Sequence, residues 1–295
     1  MKLPAFLLPL LAPLAFAAEP QPLLWRIEGP KPDYVFGTIH LASSDVTTLT
    51  PSTEKAVAGA DALYTEIPMD MASQMQGAMK LLGGAKPLKE VLPPDLYARS
   101  EAEVKRINPA LNLQPFERME VWALAVTIAL LEEQLKNPGA QVLDAILYNR
   151  AEAAKKEVGG LETTEEQLAV FGKFSTDEQI AMLRATLDDL DRARKEGRTP
   201  ISELRAAYLS GDLAQIDAEM TEWTSALDDT LEKRFVTALI TDRNKLMADR
   251  MAEKVRAQPG KSYFFAVGAA HLHGPEGVIA LLEKAGFKLT RVARK

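Results

Sequence analysis

Two apolar, strand-like segments near opposite ends of the chain each run straight into the spacing Gly-x-x-His. They are Val35-Phe36-Gly37-Thr38-Ile39-His40 and Phe264-Phe265-Ala266-Val267-Gly268-Ala269-Ala270-His271. A third such run, Ala62-Leu63-Tyr64-Thr65, ends in Glu66. Most of the chain separates the two histidines, so any single site they share must be assembled by the fold. Open α/β sheets do this in the crevice beyond the carboxyl ends of parallel strands. With 17 glycines in 295 residues, two of the three histidines having glycine three positions earlier is about a 1% coincidence. Glycine at such a position permits either a positive φ or a close approach of backbone to a neighbour. An isolated His at a strand end also serves simply to satisfy backbone groups.

The rest of the pattern distributes elements unevenly. Leu23 to Glu28 and Tyr34 to Thr38 read as two strands of a hairpin around the turn-rich Gly29-Pro30-Lys31-Pro32-Asp33. Ser52 to Gly59 reads as a short helix capped by Ser52, and Ala62 to Ile67 as a strand. From Met69 to Ala257 the periodicity is helical, interrupted at Glu157-Val158-Gly159-Gly160. Ser262 to Val267 is a strand, Pro275 to Ala285 a helix closed by Gly286, and Phe287 to Val292 a last strand. The expected class is therefore α/β (α+β): a central mixed sheet from the N- and C-terminal segments, with a large helical insertion or cap at about 93–230.

The N-terminal run is set apart from that fold. Met1-Lys2 carries a positive charge, Leu3 to Phe16 is almost wholly apolar, and Ala15-Phe16-Ala17 is a small-x-small cleavage pattern. This predicts a signal peptide over 1–17 and a periplasmic or secreted mature domain over 18–295. The apolar run is shorter than a membrane span and broken by prolines, so no stable membrane insertion is expected after cleavage. The absence of cysteine excludes disulfides and thiolate metal sites. A net charge of −6 argues against nucleic acid, whose phosphates call for a basic face. Oligomeric state is not legible.

Further candidates lie in the helical tract. The apolar stripe Phe235, Val236, Leu239, Ile240, Leu246, Met247 and Met251 contains Arg243. A guanidinium facing a core must be paired, because an unpaired buried charge costs several kcal/mol. It is either an ion pair pinning the helix to a carboxylate such as Glu162, or an anion anchor beside a reacting centre. Asn244, on the edge of that face, is placed to orient a ligand or a substrate carbonyl. Glu162, after Gly159-Gly160-Leu161, is a candidate general base or supporting carboxylate. His273 lacks the glycine spacing and is expected to support His271 or open the following helix.

These residues resemble the TraB/PrgY/GumN family, which includes the TIKI proteases. The resemblance rests on Trp25 and the hairpin, Gly37-Thr38-Ile39-His40-Leu41, Glu66, Gly160-Leu161-Glu162-Thr163 with Glu166-Gln167, Asp242-Arg243-Asn244, and Val267-Gly268-Ala269-Ala270-His271-Leu272 with Gly274 and Gly277. It implies a fold similar to erythromycin-esterase-like and haem-binding ChaN-like proteins. It also implies a divalent-metal-dependent activity on peptide or protein substrates centred on His40, Glu66, Arg243 and His271. Two imidazoles and a carboxylate, His40, His271 and Glu66, suit a divalent ion with open positions, as in other His/His/Glu hydrolases. Nitrogen and oxygen donors accept Zn²⁺, Mn²⁺ or Co²⁺, and the resemblance favours Mn²⁺ or Co²⁺. Arg243 and Asn244 would then face a developing oxyanion, and Glu162 would carry a proton. Two other classes stay open: a haem or small-ligand binder using a His as axial ligand, and a non-catalytic protein sequestering a peptide. No His-Glu-x-x-His or Gly-x-Ser-x-Gly occurs, and Gly260-Lys261-Ser262 fails as a phosphate loop because position 255 is Val.

Overall fold

A computed structural model describes residues 22–293; the expected signal peptide lies outside the described residues. Six strands form one mixed sheet: β1 (Leu24–Ile27), β2 (Asp33–Thr38), β3 (Ala62–Thr65), β4 (Glu157–Gly160), β5 (Tyr263–Gly268) and β6 (Leu289–Arg291). Their order across the sheet is β4-β3-β5-β2-β1-β6. The hairpin is present, with Leu24 opposite Phe36 and Ile27 opposite Asp33, and β6 adds antiparallel to β1. β2, β5, β3 and β4 run parallel to one another, so their carboxyl ends share one edge.

The alternation of side chains along these strands builds two cores. Trp25, Val35, Tyr64, Phe265 and Val267 face helices that include Asp242–Ala257 and Val278–Lys284. Leu24, Phe36, Leu63, Phe264 and Ala266 face Pro51–Gly59 and Leu143–Ala153 on the other side. With both faces covered, β5 is buried along nearly its whole length, which is why it reads as a continuous apolar run rather than an alternating one. A separate helical core joins Pro94–Ile107, Val121–Lys136 and Thr176–Lys195 through residues such as Leu96, Leu124 and Leu183. Among the described residues, no helix is long and apolar enough to cross a membrane.

Local differences from the sequence reading have physical causes. The interruption at 157–160 is a sheet strand, so helices fill two tracts, one on each side of β4. The helix Pro51–Gly59 is capped by Thr50, whose side chain accepts from Thr53 N–H, and Pro51 opens it; Ser52 sits inside. The apolar stripe around Arg243 is broken by a π-helical turn, Thr237–Thr241, which inserts an extra residue and rotates the phase. As a result Val236, expected in the core, is 39% exposed. The helix Val278–Lys284 does end at Gly286, whose φ of +92° lets the chain reverse.

Candidate active site

The parallel register carries the candidate residues to one edge. Thr65 pairs with Gly160, and the ladder continues one step further, with Glu162 N–H donating to the Glu66 carbonyl at 2.7 Å. Glu66 and Glu162 are therefore neighbours by backbone pairing. β5, between β3 and β2, ends at Gly268 and turns through the short 3-10 segment Ala269–His271. Neither motif glycine uses a positive φ; close approach is the reason for both. A Cβ on Gly37 would meet Leu272 Cδ1 at 2.8 Å. A Cβ on Gly268 would stand 3.0 Å from Glu66 Oε1, 3.5 Å from His271 Cδ2 and 4.0 Å from His40 Nε2. The two imidazoles and the carboxylate thus converge on the space that glycine leaves open.

Each histidine is oriented by a dedicated partner. His271 is buried, and its Nδ1 lies 2.6 Å from Asn244 Oδ1. Asn244 Nδ2 donates to the Glu276 carbonyl at 2.8 Å, which fixes the amide orientation and makes Nδ1 of His271 the protonated nitrogen. Its Nε2 lone pair then faces Arg243 Nη1 at 3.3 Å and Glu66 Oε1 at 3.5 Å. Burial, reinforced by the Arg243 and His40 charges, overcomes the attraction of Glu66 and pushes the His271 pKa down to about 4. The ring is neutral at pH 7. His40 is oriented by a residue that sequence reasoning missed: its Nδ1 lies 3.1 Å from Asp144 Oδ2, while Asp144 Oδ1 accepts from Thr38 Oγ1 at 2.7 Å. Asp144, fully buried, holds the His40 pKa up at about 9, against the effect of desolvation. The His40 side chain is 55% exposed, so water screens part of that attraction.

Arg243 ties the acids together. Its Nη2 donates to Glu66 Oε2 at 2.6 Å and to Glu162 Oε2 at 2.7 Å, its Nε to Glu162 Oε2 at 3.0 Å, and its Nη1 to the Leu239 carbonyl at 3.2 Å. Gly268 N–H reaches Glu66 Oε1 at 2.7 Å, and Gln167 Nε2 reaches Oε2 at 2.9 Å. Burial pushes the Glu66 carboxyl up, but His271, Arg243, His40 and the Gly268 N–H together hold it well below the usual carboxylate range. Because His271 is neutral at pH 7, Arg243 is the buried cation that keeps Glu66 ionised there. Burial raises the Glu162 carboxyl despite its pairing with Arg243.

The donor chemistry suits a divalent ion that displaces the extra proton Asp144 holds on His40: two imidazole Nε2 atoms whose Nδ1 positions are tied to a carboxylate and an amide, beside an ionised carboxylate. As they stand, among the described residues no three His, Asp or Glu side chains are spaced to hold one ion. The Arg243 guanidinium instead contacts both His271 Nε2 and Glu66, two of the groups that would hold such an ion.

The TraB/PrgY/gumN family matches residues 23–291. The chain belongs to that family. Metalloprotease TIKI1 of Danio rerio is 27% identical over 306 residues, covering 90% of this chain and 62% of that protein. Metalloprotease TIKI1 of Xenopus tropicalis is 28% identical over 305 residues, covering 90% of this chain and 60% of that protein. An uncharacterized protein of Treponema pallidum is 24% identical over 272 residues, covering 89% and 80%. The chain thus spans under two thirds of the length of these two TIKI1 proteins. No solved structure matches it.

Within this member of the TraB/PrgY/gumN family, His40, Glu66, Glu162, Arg243, Asn244 and His271 come together, and His273 does not join them. His273 is exposed and lies 3.6 Å from the exposed Asp217 on the helix Leu213–Thr224. Sequence reasoning missed Asp144 and gave Gln167 no role. Asp144 had a readable signal, a lone charge within Val142-Leu143-Asp144-Ala145-Ile146-Leu147, which is the argument that singled out Arg243. The amide of Gln167 carries no such signal.

Proposed function

We propose that this chain is a divalent-metal-dependent hydrolase acting on peptides. One observation carries the reading: His40, Glu66 and His271 converge beside Gly268, with each histidine's Nδ1 already engaged. The names of the TIKI relatives support the same reaction class. His40 Nε2, His271 Nε2 and Glu66 Oε1 would hold the ion. What a divalent ion supplies when bound there is polarisation of a carbonyl and water made nucleophilic near neutral pH.

The remaining steps belong to the chain. Asp144 and Asn244 fix the imidazole tautomers. Arg243 turns from His271 toward the substrate, where its charge stabilises the oxyanion that develops on the scissile carbonyl. Glu162 restrains that swing through the Arg243 Nε bond, and its raised proton affinity suits it to take a proton from the attacking water and pass it to the leaving amine. Mn²⁺ and Co²⁺ are the expected ions, with Zn²⁺ compatible. The chain acts as an exported protein.

The test is incubation of the full chain with a diverse peptide library, read by mass spectrometry. Cleavage should vanish with a chelator, return on adding Mn²⁺ or Co²⁺, and be absent in His40→Ala and His271→Ala. Cleavage that ignores the chelator, or persists in both variants, contradicts the proposal.

A further inference from the structure

A cavity of about 280 Å³ lies among the helices beside the site, walled by Trp122, Phe171, Met182, Trp223, Phe235 and Leu239 among others. Trp122 and Phe171 stack with ring centroids 3.8 Å apart and planes 4° from parallel, a preformed aromatic wall. The volume falls just below the range for small-molecule sites, roughly 300–1,000 Å³, so it suits one large side chain better than an extended cofactor.

The cavity wall shares residues with the surroundings of the reacting centre. Leu239 lines it and gives its carbonyl to Arg243 Nη1 at 3.2 Å. Leu130 and Ile201 line it too, and they pack against Ile39 and Leu41, the neighbours of His40.

We infer that this cavity is a specificity pocket that takes one bulky apolar side chain of a peptide bound at the site. As a substrate subsite it rests on the hydrolase reading; as a binding pocket it stands on the cavity alone. A phenylalanine next to the scissile bond would seat against the Trp122–Phe171 wall, while its backbone stays near Arg243. Alanine at the same position leaves the wall uncovered.

The experiment follows the indole N–H resonances of the three tryptophans in the ¹⁵N-labelled full chain, with Trp223→Phe identifying the Trp223 peak. The probes are Ala-Ala-Phe-Ala-Ala amide and its all-alanine counterpart. The phenylalanine peptide should shift the Trp223 peak saturably and bind at least about tenfold more tightly than the all-alanine peptide, the scale of an apolar pocket contact. Ala129→Phe, which fills the cavity from its wall, should reduce that ratio to about one. Equal binding of the two peptides, or a preference that survives Ala129→Phe, would overturn the pocket. Selective binding without cleavage upholds the pocket and removes the hydrolase reading; cleavage without preference does the reverse.

Discussion

Replacing Arg243 with Met keeps an aliphatic stem in the core and removes the one cation shared by two buried carboxylates. Glu66 and Glu162 are each 3% exposed, and the guanidinium bonds them at 2.6 and 2.7 Å through a single nitrogen. Removing one partner of a buried pair costs about 3–5 kcal/mol, the expected loss of unfolding free energy at pH 8. The loss should depend on pH. Without the guanidinium, burial raises the folded-state carboxyl pKa above its unfolded value, so the folded variant takes up a proton first. Its stability then rises as pH falls toward the unfolded pKa, by up to about 1.4 kcal/mol per pH unit for one proton. In the unmodified chain the lowered Glu66 pKa works oppositely: its stabilisation is full above the unfolded carboxylate pKa and is lost as pH falls from there toward the folded value. The gap between the two proteins, measured by urea unfolding followed by circular dichroism, should be widest at pH 8 and at least about 2 kcal/mol narrower at pH 5. A gap below about 1 kcal/mol at pH 8, or one equal at both pH values, would refute the view that Arg243 holds Glu66 ionised and compensates both buried acids.

Gly268→Ala would place a methyl 3.0 Å from Glu66 Oε1, moving the carboxylate by a few tenths of an ångström. Ion affinity should fall by about tenfold or more while the unfolding free energy changes by under about 2 kcal/mol; unchanged affinity by calorimetry would count against convergence at that glycine. Asp144→Asn removes the charge beside His40, so in ion-free protein the His40 midpoint, about 9 with Asp144 in place, should drop by more than one unit, read from the imidazole proton resonances. Asp33 is buried, and desolvation raises its pKa to about 6 although Tyr263 N–H donates to it at 2.7 Å. A raised acid stabilises most below its unfolded pKa and loses that contribution as pH climbs through 6. Asp33→Asn, which keeps the acceptor, should therefore gain stability over the native chain above pH 6 and show no gain at pH 4. A denaturation series at both pH values decides it.

The sheet and most of the site were legible because both depend on local pattern. Apolar runs ending in Gly-x-x-His or Glu mark strand ends, and a lone arginine in an apolar stripe demands a carboxylate, here Glu162 as well as Glu66. What stayed hidden depends on contacts between distant segments. Asp144 meets His40 only because the helix Leu143–Ala153 packs on the face of the sheet opposite Met247 and Met251. Gln167 reaches Glu66 only because the helix Thr164–Ala169 starts just after β4. The π-helical turn before Arg243 escaped notice because an inserted residue shifts the helical phase without altering composition.

The most direct measurement is calorimetric titration of chelator-stripped full chain with Mn²⁺ and Co²⁺, beside His40→Ala and His271→Ala. The account predicts one ion per chain, with affinity lost or cut at least about tenfold in each variant. No binding by the native chain, or equal binding by all three proteins, would contradict it.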